Sequence, residues 1–231
     1  MKICILTLFP ELFKPFTETG LIAKAIDENS IDIVLINPRD FANNKHNSVD
    51  DDPYGGGGGM VIQAKPIVDA FESIEPEIRN NAKILVTSAR GEKLNQNKLI
   101  EFSEIDNLII ICGRYKDIDQ RALDIIGAEE ISIGDYVLQG GEVPAMAIIE
   151  GVTRLLPNFL GDFDSASSDS FWEDRKLSAP SYTRPRVFRG IEVPEVLVSG
   201  NHAKIHKWRE EVGKKITEFK RPDLTDKKDS D

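Results

Sequence analysis

Cysteine is scarce in this chain, with Cys4 and Cys112 the only two among 231 residues. Both sit inside runs of Ile and Leu, where a cysteine reads as a small buried hydrophobe. No Cys-x-x-Cys is present, which excludes a zinc ribbon or a dithiol redox motif. Long apolar runs are also missing. None approaches the ~20 residues that a membrane span needs. The N-terminal MKICILTLFPELF carries one Lys and only a short apolar stretch, too short for a signal peptide, and KICILTL reads better as a first strand. A cytoplasmic protein without membrane contact is the expectation. Histidine is rare as well, with three in all. His202 and His206 are spaced i, i+4, but no HExxH pattern and no third ligand accompany them, so a helix surface is expected there and no metal.

Positive charge is short overall, at a net −10, which on its face argues against nucleic acid. Its distribution reverses that argument. Residues 175–221 hold twelve Lys and Arg against five Glu and no Asp, a net +7, so the remainder carries −17. A basic segment on an acidic body suits local phosphate contacts, or equally a solvated helical face.

Four continuous runs rich in branched aliphatic residues read as strands covered on both faces: 2–8, 31–37, 83–88 and 107–112. Shorter candidates are EEISI (129–133) and PEVLVSG (194–200). Helical patterns lie at 65–75, 117–126 and 142–156, and their alternation with strands predicts an α/β sheet over residues 1–160. Residues 157–170 turn to Ser, Asp, Gly and Pro and read as a linker or mobile loop. A long helix follows at 201–219, with Asn201 as its cap and Ile205, Trp208, Val212, Ile216 and Phe219 as its apolar stripe toward the core. The polar tail from Asp223 reads as disordered.

Several segments carry chemistry. PYGGGGGM (53–60) matches neither the Walker nor the Rossmann pattern. It reads as a loop allowing close backbone approach to RNA or a partner subunit, or as a merely flexible one. ICGRYKDID (111–119) projects Arg114 and Tyr115 beyond a strand's carboxyl end, where α/β sheets bind ligands. An Arg there pairs with a carboxylate or phosphate, or decorates a structural turn. ISIGDYVLQGGEVPAM (131–146) offers backbone polar groups between apolar Ile133 and Leu138, as an adenine site requires, although a connecting loop is the plainer reading. Asp169, in SSDSF, is taken alone a turn residue.

Taken together, LFPELF, PRDF, VDDDPYGGGGGM, ICGRYKDIDQRA, EISIGDYVLQGGEVPAM, DSF, YTRP and VPEVLVSGNHAKIHKWR follow one order and spacing. From Leu8 to about Pro222 the chain closely resembles the bacterial tRNA (guanine-N1)-methyltransferases of the SPOUT superfamily. The resemblance implies a parallel α/β sheet with a deep trefoil knot, an exception to unknotted topology, plus a small helical C-terminal domain. It divides the chain into a knotted cofactor-binding domain (1–160), a flexible linker (161–175) and a tRNA-binding domain (176–231). It implies S-adenosylmethionine held by Ser88, Gly113, Ile133, Gly134, Asp135, Tyr136, Val137, Leu138, Gly140 and Gly141. It implies a homodimer sharing its active site between subunits and acting on the guanine 3′ of the anticodon in tRNA.

Guanine N1 carries a proton and is a poor nucleophile until a base removes it. Asp169 matches the family's base, and a mobile linker suits a base assembled only when substrate binds. Arg154 matches the arginine that stabilises charge on guanine O6. Contacts to tRNA phosphates are expected from Arg184, Arg186, Lys204, Lys207 and Arg209. Departures from the family pattern are specific. Ser88-Ala89-Arg90-Gly91 stands for Ser-Pro-Gln-Gly, Lys116 and Asp117 stand for Glu and Gly, and Ser178 and Ser181 stand for an acidic residue and His. Two missing carboxylates leave a magnesium requirement open. The alternative reading is a non-catalytic, or differently specific, SPOUT-type RNA-binding dimer.

Overall fold

Along the first strand successive buried side chains turn to opposite faces: Ile3 and Ile5 join one apolar cluster, Cys4 and Leu6 another. A strand with apolar partners on both faces belongs inside a sheet covered on both sides. The structure is a computed structural model. It describes residues 1–225 except 43, 45, 158, 160–168 and 173–175. The strands in chain order are β1 (Lys2–Leu6), β2 (Asp32–Ile36), the short β3 (Asp50–Asp51) and β4 (Val61–Ile62), β5 (Ala82–Lys93), β6 (Asn107–Cys112), the short β7 (Asp117–Ile118), β8 (Glu129–Ser132), β9 (Val187–Phe188) and β10 (Ile191–Glu192). Five of them form a parallel sheet in the order β2-β1-β6-β5-β8.

Parallel neighbours need crossovers, and helices supply them. One face is covered by Ile22 and Ala25 of the helix Gly20–Asp27, Phe102 of Gln96–Ser103, and Ala145, Ile148, Ile149 and Val152 of Glu142–Thr153. The other face is covered by Ile67, Ala70 and Phe71 of Ala64–Glu72 and by Ala122, Leu123 and Ile126 of Gln120–Ile126. Both cysteines are free and buried on these strands, as the sequence suggested.

Strand β5 departs from the expected end at Ser88. It pairs Leu85–Thr87 with Glu129–Ile131, bulges out over four residues, and pairs again through Glu92–Lys93 with Ile131–Ser132. The bulge places Gly91 directly against the Ile131 backbone, where a Cβ would stand 2.6 Å from the Ile131 carbonyl carbon. Only glycine fits that approach.

The chain divides into two compact units, Met1–Phe159 and Leu160–Asp231. In the second, β9 and β10 form a small hairpin, and the C-terminal helix runs His202–Lys220. Asn201 caps it, its side chain accepting from Lys204 N at 3.1 Å. The expected strand at 194–200 is corrected: Glu195–Val198 is a 3-10 turn. With no strand beside it among the described residues, this run satisfies its backbone locally, through Leu197 N to Pro194 O and Ser199 N to Val196 O. The helix stripe is also corrected at one end, since Phe219 is 86% exposed. The closest packing is made by small residues instead. Leu177 N donates to Thr217 Oγ1 at 2.9 Å, and a Cβ on Gly213 would stand 2.7 Å from Leu177 O. The expected disorder from Asp223 is corrected in part: Pro222–Leu224 forms a 3-10 turn braced by Arg221 and Asp223 at 2.7 Å. Residues 226–231, and 161–168 and 173–175 of the expected linker, lie outside the described residues. No helix among the described residues is long and apolar enough to cross a membrane.

Candidate functional site

Beyond the carboxyl ends of β5, β6 and β8, the main-sheet unit opens into a cleft of about 300 Å³. Three segments build it: the Ser88–Gly91 bulge, the turn after Cys112, and the loop that leaves Ser132 and enters the helix at Glu142. They are drawn together by backbone. Gly141 N donates to Gly113 O at 2.8 Å, and Arg114 and Gly140 form an antiparallel bridge. A Cβ on Gly141 would collide with Thr87 Oγ1 and would stand 2.7 Å from Gly113 N, so the close approach of the three strand ends requires glycine there.

Of the residues expected around the cofactor, Ser88, Gly113, Ile133, Gly134, Tyr136, Val137, Leu138, Gly140 and Gly141 all line this cleft. Asp135 does not. Its side chain is 85% exposed and pairs with Lys93 Nζ at 2.8 Å. Val137, Tyr136 and Leu138 present apolar surface. The cleft therefore combines apolar walls with backbone polar groups and is at the lower size limit of small-molecule sites. These features fit an adenine-bearing cofactor.

The cleft also takes in residues to which no cofactor role was assigned: Arg90, Arg114, Lys116 and Asp117. Arg90 bridges two carboxylates, Asp117 at 2.9 Å and Glu130 at 2.6 Å. Its side-chain hydrogen bond to Glu130 raises its affinity for its proton. Lys116 N donates to Met60 O at 3.0 Å, at the end of the glycine loop. Its Nζ lies 3.1 Å from where a Gly57 Cβ would be. The Cys112 thiol is pushed well up by burial and offers no nucleophile. Behind the cleft, Glu142 was missed by sequence reasoning. Its only local signal is a carboxylate directly after two glycines at a helix start.

Arg154 does not line the cleft. It follows the helix whose first turn borders it, and twelve helical residues (Glu142–Thr153) span about 18 Å. Asp169 belongs to the second unit and lines a cleft there of about 910 Å³, with Trp172, Tyr182, Arg184, Arg186 and Arg209. Lys204 and Lys207 lie outside that cleft, and Lys207 faces Glu211 at 3.9 Å. Thus three of the five expected phosphate contacts gather with Asp169 and two do not.

Among the described residues no three His, Cys, Asp or Glu gather as a metal site. His206 pairs with Glu210 at 3.6 Å. Lys116 is a cation, and Ser178 Oγ faces Ser170 Oγ at 3.0 Å. Neither position supplies a carboxylate to a hard cation.

Comparison with known proteins settles the family. The model described as "tRNA (Guanine-1)-methyltransferase TrmD" matches residues 1–227. The chain belongs to this family. A tRNA (guanine-N(1)-)-methyltransferase of Carboxydothermus hydrogenoformans is 50% identical over 224 residues, covering 97% of this chain and 87% of the relative. Proteins of the same name from Pasteurella multocida and Finegoldia magna are 45% and 46% identical, covering 97% and 98% of this chain and 91% and 96% of their own lengths. The resemblance carried by the motifs is thereby shown along nearly the whole chain.

Proposed function

We propose that this chain transfers the methyl group of S-adenosylmethionine to N1 of the guanine 3′ of the anticodon in tRNA, in the cytoplasm, as a homodimer with a knotted cofactor domain. The observation that carries the reading is the cleft at the ends of β5, β6 and β8, with its apolar walls and its glycine-dependent closure by Gly113, Gly140 and Gly141. Family membership supports the same substrate pair.

S-adenosylmethionine, when bound, supplies a sulfonium methyl that needs only in-line positioning. Ser88, Gly113, Ile133, Gly134, Tyr136, Val137, Leu138, Gly140 and Gly141 would hold it. Asp169 would accept the N1 proton of guanine, leaving N1 the lone pair with which it acts as a nucleophile. Arg154 stabilises the charge that spreads to guanine O6. Because Arg154 lies a helix length from its own chain's cleft, the shared-site reading has Arg154 and Asp169 meet one guanine from two subunits. Arg184, Arg186 and Arg209 would hold tRNA phosphates beside Asp169. No step is assigned to a metal.

The test is methylation of a small tRNA panel with the modified base identified by mass spectrometry. The expected product is 1-methylguanine next to the anticodon. Tight S-adenosylmethionine binding without any tRNA methylation would instead favour the non-catalytic RNA-binding reading, and a different modified base a differently specific enzyme.

A further inference from the structure

Among the described residues, Glu142 is the one charged side chain that is fully buried, at 2% exposure. A buried carboxylate is costly unless it is paired and hydrogen-bonded. Glu142 opens the helix Glu142–Thr153, where the helix dipole favours an anion. Its two oxygens face different partners. Thr7 Oγ1 donates to Oε1 at 3.0 Å, while Oε2 lies 3.8 Å from Arg114 Nε. That Nε is itself buried and has no hydrogen-bond partner among the described residues. The carboxylate is therefore the charge that compensates it.

Arg114 is held on its other sides by the cleft wall and by the turn that follows β1. Its guanidinium lies over the Phe9 ring, 4.3 Å from the centroid, and Nη1 donates to Gln139 O at 3.3 Å. Phe9 N in turn donates to Thr7 Oγ1 at 3.0 Å. Thr7, Glu142, Arg114 and Phe9 thus close a ring of contacts between the end of β1 and the Gln139–Gly141 wall. Gly140 leaves the space in which the two charges face, since a Cβ there would stand 2.9 Å from Arg114 Nε.

We infer that Glu142 is a positioning residue acting through Arg114: its charge holds the guanidinium over Phe9, and the guanidinium holds the Gln139–Gly141 wall in the shape that binds the cofactor. Remove the charge, and Arg114 turns toward solvent, releasing the Gln139 carbonyl. The inference rests on the cofactor reading of the cleft for its functional consequence, but its structural half stands apart from any ligand.

Glu142→Gln keeps the shape and the acceptor for Thr7 and removes only the charge. In calorimetry it should weaken S-adenosylmethionine binding about tenfold, and the Glu142→Gln/Arg114→Gln double variant should bind no worse than the weaker single one. In the unliganded protein, amide exchange across 133–141 should quicken about tenfold while β6 is unchanged. A merely structural role predicts faster exchange in β6 and β1 as well, and losses that add in the double variant. Either result overturns the inference, as do affinity and loop exchange indistinguishable from wild type. If the wild-type protein itself binds no S-adenosylmethionine, the proposed function fails, and the exchange result alone decides the positioning role. Should Glu142→Gln not fold, Thr7→Val removes the supporting hydrogen bond and is expected to give the same local pattern more weakly; an unchanged 133–141 segment in that variant counts against the inference.

Discussion

Arg90 and Asp117 are joined across the mouth of the cleft, Nη1 to Oδ2, at 2.9 Å. Both residues line the cleft, and they answer each other. The arginine on the Ser88–Gly91 bulge reaches the carboxylate beyond the Gly113 turn, with Glu130 as a second partner. Two of the three segments that build the cleft are thus tied by a charge pair.

Both side chains are partly exposed, so the pair is worth about 0.2–1 kcal/mol. Asp117→Asn should lower the melting temperature by no more than about 4 °C. It should weaken S-adenosylmethionine binding up to about fivefold at low salt, and calorimetry in ~1 M salt should erase the difference. A loss that persists in high salt would mean that Asp117 acts by something other than this ion pair.

Asp169→Ala should abolish turnover and leave cofactor affinity nearly unchanged, because Asp169 belongs to the second unit. Single-turnover methylation measures this directly. A variant keeping more than about a tenth of the wild-type rate, a loss under ~1.4 kcal/mol, removes Asp169 from the role of base.

Mixing Arg154→Ala protein with Asp169→Ala protein creates heterodimers with one intact and one doubly damaged site. Substantial recovery of methylation is expected. No recovery, with subunit exchange proven by mass spectrometry, would show that the two residues serve a site from one chain.

Each true phosphate contact adds about 0.7–0.9 to the salt slope of tRNA binding. Reversing Arg186 and Arg209 to Glu should flatten that slope and weaken tRNA binding without touching cofactor affinity. Reversing Lys204 and Lys207, which lie outside the cleft of Asp169, should do so less. Equal effects would place the RNA along the helix face instead.

Asp119 caps the helix Gln120–Ile126, accepting from Arg121 N at 3.0 Å and from Arg121 Nη2 at 2.6 Å. The Arg121 side-chain hydrogen bond holds its carboxyl below the usual range, against the opposing effect of burial. A depressed pKa stabilises the fold above the unfolded value of ~3.9 and ceases to do so as pH falls through the folded value. Asp119→Ala should cost about 1 kcal/mol at neutral pH. In urea titrations the gap to wild type should narrow below about pH 4; a constant gap would assign the loss to packing alone.

What the sequence determined by itself is what neighbours along the chain determine. The continuous aliphatic runs of β1, β2 and β6 commit those residues to strands covered on both faces, whatever lies opposite. Asn201 has the side chain to cap the helix that follows it, and Gly113 and Gly141 mark turns. The motif order shows the family. What only the tertiary structure decided depends on partners distant in sequence. EVLV has strand-like composition but no strand beside it among the described residues, and it closes a 3-10 turn. Strand β5 runs past Ser88 because β8, some forty residues later, accepts it a second time. Phe219 fits the stripe but faces water, because Gly213 and Thr217 set how the helix seats against Leu177. Glu142 looks like an ordinary first-turn carboxylate. Its burial against Thr7 and Arg114, 135 and 28 positions away, follows from the parallel order β2-β1-β6-β5-β8, which brings the ends of β1 and β6 side by side, and no local pattern encodes which strand ends will meet.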